Sequence, residues 1–334
     1  MYHFIQWINH SFIFLHCKYN KLLYIGGMIK DKYLIVIGGP TAIGKTNSSI
    51  GLAQKLQCDI ISADSRQFYR EMNIGTAKPT ASEQSQANHH FINSLSIHDD
   101  YSVGKFEQDT LNLLDELFAT NDYCILTGGA GLFLNAICYG LDRFPAVSPN
   151  YRISLNQELQ ERGFGVLQKE LARADPEYYK KVDEKNPQRV IRALEVIRSS
   201  GKPFSSFLKK VPTARPFQIL PFQLQMERDR LYGRINRRVD NMIEQGLEQE
   251  ARALYSHRDL NALRTVGYSE WFAHFGGEID RNTAIELIKR NTRRYAKRQV
   301  TWFRNQGAYQ PIQQVDKTVA LVLQALKINK EKSS

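Results

Sequence analysis

The chain has 334 residues, of which 42% are hydrophobic and 24% charged, and its formal net charge is +11. This length and composition can bury at least one sizeable core, which excludes disorder as a global description. The positive charge indicates a polyanionic partner, and nucleic acid is the natural candidate. The four cysteines lie far apart without a C-x-x-C pair. Neither a disulfide framework nor a zinc knuckle is therefore predicted, and we expect a reducing cytoplasm.

Residues 1–27 are apolar and aromatic, but polar residues interrupt them throughout. No apolar run there is long enough to span a bilayer, and the basic start and small-residue cleavage site of a signal peptide are missing. We therefore expect neither membrane insertion nor export. We predict that residues 1–27 extend outside a fold that begins near Met28.

A glycine-rich loop follows the first predicted strand, 33–38, and precedes a predicted helix, 45–56. Its sequence completes the G-x-x-x-x-G-K-[ST] pattern, in which backbone N–H groups and the helix N-terminus hold phosphates. The lysine of such a loop reaches the terminal phosphate, and the hydroxyl after it holds Mg²⁺. We call residues 39–46 the glycine loop. Its predicted phosphate-binding residues, with Thr46 also the metal ligand, are Gly39, Pro40, Thr41, Ala42, Ile43, Gly44, Lys45 and Thr46.

Asp64 comes soon after the second predicted strand, 59–62. Ligands of open parallel sheets bind at the carboxyl ends of the strands, so this carboxylate is predicted to lie beside the glycine loop. It could act as a general base or as a metal ligand. The alternative is an aspartate that only caps a turn or a helix.

The third predicted strand, 123–127, lies between predicted helices at 104–119 and 131–138. It ends in the glycine turn Gly128-Gly129, without the acidic residue that holds Mg²⁺ in many nucleotide hydrolases. This disfavours a motor or switch ATPase but leaves a small kinase open.

Between residues 148 and 208 the pattern becomes entirely helical, and a fourth strand is predicted at 217–225. The insertion helices are predicted at 154–162, 165–174, 176–182 and 187–199. Strands alternating with helices elsewhere predict an α/β fold, a P-loop-type parallel sheet wrapped by helices, with a helical insertion domain. The predicted domains are a core in two parts (28–147 and 209–312), the insertion (148–208) and a C-terminal helix with a frayed tail (313–334).

The last third of the chain concentrates positive charge. Between residues 281 and 304, eight Lys or Arg residues stand against one acid, Glu286. Arg290, Arg294 and Lys297 recur at helical spacing among aromatic residues, a mixture that suits unstacked RNA. A solvated helix face is the alternative. A second basic cluster favours RNA binding and comprises Arg228, Arg230, Arg234, Arg237 and Arg238.

Nine ordered motifs between Lys32 and Gln306 resemble those of the bacterial tRNA dimethylallyltransferases. They are G-G-P-T-A-I-G-K-T (38–46), I-S-A-D-S-R-Q-F-Y-R (61–70), N-I-G-T-A-K-P (73–79), H-H-F-I (89–92), T-G-G-A-G-L-F (127–133), Q-R-V-I-R-A-L-E-V (188–196), R-I-N-R-R-V-D-N-M (234–242), R-T-V-G-Y-S-E (264–270) and R-R-Y-A-K-R-Q-V-T-W-F-R (293–304). The resemblance implies transfer of a dimethylallyl group from dimethylallyl diphosphate to N6 of adenosine 37. The substrates would be tRNAs that read codons beginning with U, and the products N6-dimethylallyladenosine and diphosphate.

The resemblance also implies roles for single residues. The glycine loop would hold the donor's diphosphate together with Mg²⁺ at Thr46. Lys45 and Arg238, with Arg234 as the alternative, would stabilise the leaving diphosphate, and Asp64 would accept the N6 proton or orient the amine. We expect a cytoplasmic monomer that binds the anticodon stem-loop. The implied tRNA contacts are Asp64, Ser65, Arg66 and Gln67; Ala130 and Arg152; Gln188, Arg189, Val190, Ile191 and Arg192; Arg264, Thr265, Val266, Gly267, Tyr268 and Ser269; and Lys297, Arg298, Gln299, Val300, Thr301, Trp302, Phe303 and Arg304.

The chain departs from the family pattern at two places, the segment Ser94 to Asp100, to which no function is assigned, and one glycine-rich motif. The usual G-G-T-x-x-Y reads Gly128-Gly129-Ala130-Gly131-Leu132-Phe133, so a threonine and a tyrosine hydroxyl are missing. Either a neighbouring group or a water replaces the tRNA hydrogen bond at Ala130, or the affinity for tRNA is reduced.

Three other functions remain open from the sequence. One is an adenylate isopentenyltransferase that acts on free nucleotides, the second is a P-loop phosphoryl-transfer enzyme that binds ATP, and the third is an RNA-binding protein with a structural glycine loop. The basic clusters and the helical insertion argue against the first, because a mononucleotide needs no such surface.

Overall fold

The computed structural model describes residues 32–208 and 211–333. The predicted extension, 1–27, lies outside the described residues. The described residues form two compact units, which we call the sheet unit (32–139 and 214–333) and the helical unit (140–208 and 211–213).

The sheet unit is built on strands that all pair in parallel, in the order β3-β2-β4-β1-β5-β6. The strands are β1 (Tyr33–Gly38), β2 (Ile60–Ser62), β3 (His89–His90), β4 (Tyr123–Gly128), β5 (Gln218–Leu224) and β6 (Gln310–Ile312). Strands β1, β2, β4 and β5 lie where the sequence predicts strands. The two edge strands were not predicted, because two or three residues are too few to show an apolar run.

The helices predicted in the sheet unit at 45–56, 104–119 and 131–138 begin and end within one residue of those positions. The helices of both units are numbered together in chain order. They are α1 (Lys45–Leu56), α2 (Ala81–Gln84), α3 (Val103–Thr120), α4 (Gly131–Tyr139), α5 (Pro149–Arg162), α6 (Phe164–Ala174), α7 (Pro176–Tyr179), α8 (Pro187–Ser200), α9 (Arg228–Glu244), α10 (Leu247–Ala253), α11 (Ser269–Phe275), α12 (Arg281–Arg304) and α13 (Thr318–Ser333). Within residues 32–208 and 211–333, no helix is both long and apolar enough to cross a membrane.

A helix, α13, lies in the segment predicted to form a C-terminal helix with a frayed tail, 313–334, and the fraying stays a prediction. Helix α13 continues to Ser333, and its Val322 and Leu326 are buried in the core beside α1. Apolar residues four positions apart lie on the same side of a helix, so this spacing attaches α13 to the sheet unit.

Strand β1 lies at the centre of the core. Tyr33, Ile35 and Ile37 pack on one face of the sheet with α1 and α13, whereas Leu34 and Val36 pack on the other face with α3 and α4. All five side chains are fully buried. A parallel strand covered on both faces is apolar throughout, and this is why the run was recognisable in the sequence. The glycine loop follows the carboxyl end of β1, so it lies on the side of the sheet where the parallel strands β2 and β4 also end.

The helical unit has its own core, formed by α5, α6 and α8 around Leu155, Leu167 and Leu194. It is wider than the predicted insertion, 148–208, because Phe144 stacks on Phe204 with ring centroids 4.7 Å apart. A single aromatic residue ahead of the first helix carries no periodicity, so the sequence could not place this boundary.

Candidate active site

A cavity of about 790 Å³ lies in the sheet unit at the carboxyl ends of β1, β2 and β4. Its walls come from the glycine loop, the residues that follow β2, the segment 73–84, and helices α9 and α12. The charged side chains of the wall are Lys45, Lys78, Arg234, Arg237 and Arg238, with Asp64 and Glu83. Because the cations outnumber the carboxylates, the cavity favours an anionic ligand.

The glycine loop leads directly into helix α1. Gly44 occupies the N-cap position with φ 111°, a left-handed conformation that glycine adopts without strain. No side chain caps the helix there, and its first turn contains no acidic residue. The N-terminal amides and the positive end of the helix dipole are therefore not neutralised by a neighbouring carboxylate, an arrangement that binds phosphates.

Lys45 is folded back onto the glycine loop. Its Nζ donates hydrogen bonds to the carbonyl oxygens of Gly39, at 3.0 Å, and Pro40, at 2.9 Å. The pKa of Lys45 is lowered to about 8, chiefly by burial; the charge of Asp64 raises it in part, and the charge of Arg238 adds to the lowering. A bound anion would favour the protonated amine, so this side chain is prepared for a negatively charged ligand.

The two arginines proposed for the diphosphate lie one turn apart on α9. The Nε of Arg234 donates to the carbonyl oxygen of Ala42 in the glycine loop, at 2.8 Å. The Nη2 of Arg238 donates to the carbonyl oxygen of Ala77, at 3.4 Å. Burial is the main cause that lowers the pKa of Arg238, and Asp64 acts in the opposite direction. Because both acceptors are uncharged carbonyls, these two hydrogen bonds do not neutralise the guanidinium groups beside the cavity.

Asp64 is a turn aspartate that also belongs to the cavity wall, and its role as a general base or metal ligand stays a prediction. Its Oδ1 accepts a hydrogen bond from the backbone N–H of Arg66, at 3.0 Å, as in a turn aspartate. The same side chain lines the cavity. Together with the larger effect of desolvation, its negative charge raises the pKa of Tyr295 to about 12. The turn thus fixes the carboxylate at the cavity wall.

The segment 73–79 contributes Lys78, which the sequence analysis did not assign to the site. Its Nζ donates to the side-chain oxygens of Asn73, at 3.0 Å, and Asn93, at 2.6 Å. Burial lowers the pKa of Lys78 to about 8. Gln67 holds the same segment through hydrogen bonds to backbone carbonyls at residues 76 and 77. The sequence signal was the motif N-I-G-T-A-K-P itself, whose lysine had no partner that could be deduced from spacing.

Glu250 of α10 holds the segment 73–79 in place through hydrogen bonds to its backbone. Its carboxylate accepts hydrogen bonds from three successive backbone N–H groups, those of Asn73, Ile74 and Gly75, at 2.9, 2.8 and 3.0 Å. The hydroxyl of Tyr268 donates to the same carboxylate at 2.6 Å. Hydrogen bonds to an ionised acceptor are stronger than neutral ones, so Glu250 determines where the loop that carries Lys78 lies.

Helix α12 packs closely against the glycine turn that follows β4. A Cβ atom at Gly131 would lie 2.4 Å from the ring of Trp302, and one at Gly129 would lie 2.2 Å from the Nε2 of Gln299. Side chains at these positions would therefore displace the ring of Trp302 or the amide of Gln299. The turn is glycine-rich because a helix contacts its backbone.

Comparison with known proteins shows the family. Residues 67–306 match the family model described as IPP transferase, which covers more than half of the chain. The chain belongs to the IPP transferase family. It is 54% identical over 274 residues to a tRNA dimethylallyltransferase of Christiangramia forsetii, an alignment that covers 82% of this chain and 91% of that relative. The predicted resemblance to bacterial tRNA dimethylallyltransferases is confirmed, and the protein is a prenyl transferase.

Solved structures of IPP transferases share the fold. The crystal structure of the full-length tRNA isopentenylpyrophosphate transferase of Bacillus halodurans is 35% identical in sequence, with a TM-score of 0.67, and the match covers 90% of this chain and 98% of that one. A eukaryotic dimethylallyltransferase acting on tRNA has a TM-score of 0.74 at 26% identity, covering 90% of this chain and 80% of that one. The predicted P-loop-type α/β fold is thereby confirmed.

Most of the tRNA-binding residues predicted for this IPP transferase are accessible. The exposed ones are Arg152, Gln188, Arg189, Arg264, Ser269, Lys297, Arg298, Val300, Thr301 and Arg304. The partly exposed ones are Asp64, Ser65, Arg66, Gln67, Ala130, Arg192, Thr265, Val266 and Trp302. Their contacts with RNA stay predictions.

Three of these arginines already have structural partners in the protein. Arg66 donates from Nη1 to the backbone carbonyl oxygens of residues 261 and 262, each at 2.9 Å. In the helical unit, Arg152 and Arg192 are both hydrogen-bonded to the buried carboxylate of Glu195. Each of them therefore stabilises its own unit, whether or not it contacts RNA.

A remaining group of predicted contacts is buried. Val190 and Ile191 lie in the core of the helical unit, and the sheet unit buries Gly267, Tyr268, Gln299 and Phe303. Their burial keeps them from the outer surface of the protein, although Gln299 also lines the cavity. Whole segments were carried over, and a helix presents only some of its residues outward. The contacts of these buried residues with RNA stay predictions as well.

Proposed function

We propose that the protein transfers the dimethylallyl group of dimethylallyl diphosphate to N6 of adenosine 37 in tRNAs that read codons beginning with U. The products would be N6-dimethylallyladenosine and diphosphate. One observation supports this most directly: the carboxylate of Asp64 lies at the wall of a cationic cavity formed around the N-terminus of α1. A proton acceptor and an anion-binding site are the two groups that this reaction needs.

The reaction would form a C–N bond and break a C–O bond. The lone pair on N6 attacks C1 of the donor, and the C1–O bond breaks with its electron pair leaving on the diphosphate. The amides of the glycine loop, with Lys45 and Arg238, stabilise the negative charge that grows on the leaving group. Asp64 accepts the proton that N6 loses, so the charge balance is complete without any transfer of a phosphoryl group.

Mg²⁺ fits the residues of this site. Thr46 follows Lys45 and lines the cavity, so its hydroxyl can supply one oxygen ligand. Mg²⁺ typically takes one or two protein ligands and completes its octahedron with substrate phosphates and waters. Among the residues that the structure describes, no cluster of three or more acidic, histidine or cysteine side chains could hold a metal. When bound, Mg²⁺ would neutralise part of the leaving group's charge.

The tRNA would bring its base to this cavity from the surface that bears α9 and α12. The adenine must leave the stack of the anticodon loop, which costs a few kcal/mol. The exposed cations of α12, including Lys297, Arg298 and Arg304, can contact phosphates and offset that cost.

A labelling experiment tests the proposal. The enzyme is incubated with Mg²⁺, carbon-labelled dimethylallyl diphosphate and either unmodified tRNA or AMP, and ATP hydrolysis is followed in parallel. We expect label in tRNA alone, at adenosine 37. Label in AMP would indicate an adenylate isopentenyltransferase, and phosphate released from ATP would indicate a phosphoryl-transfer enzyme.

A further inference from the structure

We propose that Gln299 is a positioning residue of the diphosphate site: its buried amide holds the backbone of the glycine loop in the form that binds phosphate. The inference rests on the proposed function, because it assigns that loop to the donor's diphosphate. It replaces the predicted role of Gln299 as a tRNA contact.

Gln299 joins two segments that are remote in sequence. Its Oε1 accepts a hydrogen bond from the backbone N–H of Thr41, at 2.9 Å, and its Nε2 donates to the carbonyl oxygen of Gly129, at 3.0 Å. One end of the amide therefore meets a donor, and the other meets an acceptor. If the amide were flipped, its NH₂ would face the N–H of Thr41, so only one orientation satisfies both groups.

The position of Thr41 explains why this contact matters for phosphate. Thr41 lies in the first half of the glycine loop and lines the cavity. A loop that binds anions through its amides has its N–H groups directed inward in the absence of ligand, and their mutual repulsion opposes that arrangement. A fixed partner for one amide reduces the reorganisation that binding would otherwise require.

The glycine turn after β4 provides the space for this side chain. A Cβ atom at Gly129 would lie 2.2 Å from the Nε2 of Gln299 and 3.2 Å from the carbonyl oxygen of Gly39. Substitution at Gly129 would therefore displace the amide of Gln299 without changing Gln299 itself. This gives a second, independent way to disturb the same contact.

Gln299 differs in burial from its sequence neighbours on α12, although it also lines the cavity. Gln299 is 6% exposed, whereas Lys297, Arg298 and Val300 around it in the sequence are exposed. Gln299 shares the inner side of α12 with Ala296 and Phe303, which are buried too. The outward residues can contact RNA while Gln299 holds the loop.

The test compares Gln299→Met, Gly129→Ala and a control, Asn282→Ala, which changes an exposed residue in the first turn of the same helix. Binding of dimethylallyl diphosphate and of inorganic diphosphate is measured by calorimetry without tRNA, and tRNA binding is measured separately. We expect Gln299→Met and Gly129→Ala each to weaken both diphosphate ligands about tenfold, the effect of leaving buried polar groups unpaired. We expect tRNA affinity to change by less than about threefold, and the control to bind like the wild type.

The double variant strengthens the test. Because both substitutions disturb one contact, we expect their effects on diphosphate binding to be clearly less than additive. Thermal unfolding of each variant identifies any loss of fold, and Gly129→Ala decides the matter if Gln299→Met does not fold. A folded variant that binds inorganic diphosphate as tightly as the wild type does, but binds tRNA more weakly, would overturn the inference.

The same measurements distinguish failure of the proposed function from failure of this inference. If the wild type binds inorganic diphosphate but not dimethylallyl diphosphate, the proposed function fails. The comparison of variants with inorganic diphosphate still decides the role of Gln299.

Discussion

At the residue scale, Asp64 carries the chemistry of the proposed reaction. Its carboxylate is fixed by a turn and lines the cavity. We expect Asp64→Asn to lower kcat by roughly 10² to 10⁴, the usual contribution of a positioned proton acceptor, because the amide keeps the shape but accepts no proton. Single-turnover kinetics with saturating tRNA measures this. Asp115→Asn, at an exposed position of α3, is the matched control, and an unchanged rate in Asp64→Asn would remove Asp64 from the mechanism.

Also at the residue scale, Lys45 makes donor binding depend on pH. Burial lowers the pKa of Lys45 from its ordinary value to about 8, so its charge is lost as the pH rises through that value. A bound diphosphate favours the charged amine, and we therefore expect affinity for dimethylallyl diphosphate to fall above about pH 8, with uptake of a proton on binding. Calorimetry in buffers with different heats of ionisation measures the uptake.

Two variants distinguish the contributions of Lys45 and Lys78 to this pH dependence, because burial lowers the pKa of Lys78 to about 8 as well. Lys45→Arg keeps its charge to higher pH and should remove most of the fall in affinity. Lys78→Arg should remove less of the fall in donor affinity than Lys45→Arg does. An affinity that stays constant from well below to well above pH 8 would show that the charge of Lys45 does not hold the diphosphate.

At the scale of single elements, the two sides of α12 have different roles. Its buried side packs on the sheet unit, and its exposed side carries Lys297 and Arg298. We expect the double variant Lys297→Gln, Arg298→Gln to bind tRNA more weakly and to reduce the slope of log affinity against log salt by about 1.5, because two fewer counterions are released. Lys55→Gln with Lys327→Gln, exposed on α1 and α13, is a control of equal charge. An unchanged slope in the first variant would show that α12 does not face RNA.

The segment 73–79 is a second element whose position depends on a single side chain. Glu250 accepts hydrogen bonds from three backbone N–H groups of the segment and from the hydroxyl of Tyr268. In Glu250→Gln an NH₂ group would face a donor, and we expect a loss of about 2 kcal/mol in the free energy of unfolding. Urea denaturation measures it, with Glu244→Gln at an exposed position as the control. Equal midpoints for the two variants would contradict the anchoring role.

At the scale of the whole molecule, the sequence was informative where the local pattern is determined by burial or by phosphate chemistry. Strand β1 is buried on both faces, and this leaves an apolar run of six residues. The glycine loop needs small residues and a lysine at fixed spacing, so it could be recognised without knowledge of the fold. Asp64 could be placed because parallel strands end at a common edge.

The rest depends on contacts between residues remote in sequence. Gln299 is hydrogen-bonded to Thr41 at a sequence separation of 258 residues, and Glu250 to Asn73 at a separation of 177. No sequence pattern predicts contacts between residues so far apart. Edge strands β3 and β6 are too short to show a pattern. The identity of the buried residues in α12 also required the structure, because a helix made mostly of polar residues does not reveal which side packs inward.

The most direct test of the whole account is the mass of nucleosides from an unmodified anticodon stem-loop that has been treated with enzyme, Mg²⁺ and dimethylallyl diphosphate. We expect a single adenosine, number 37, to gain one five-carbon dimethylallyl group with the wild type, and little or none in the same time with Asp64→Asn. Recovery of only unmodified nucleosides with the wild type, or equal product with both enzymes, would contradict the proposed use of this cavity.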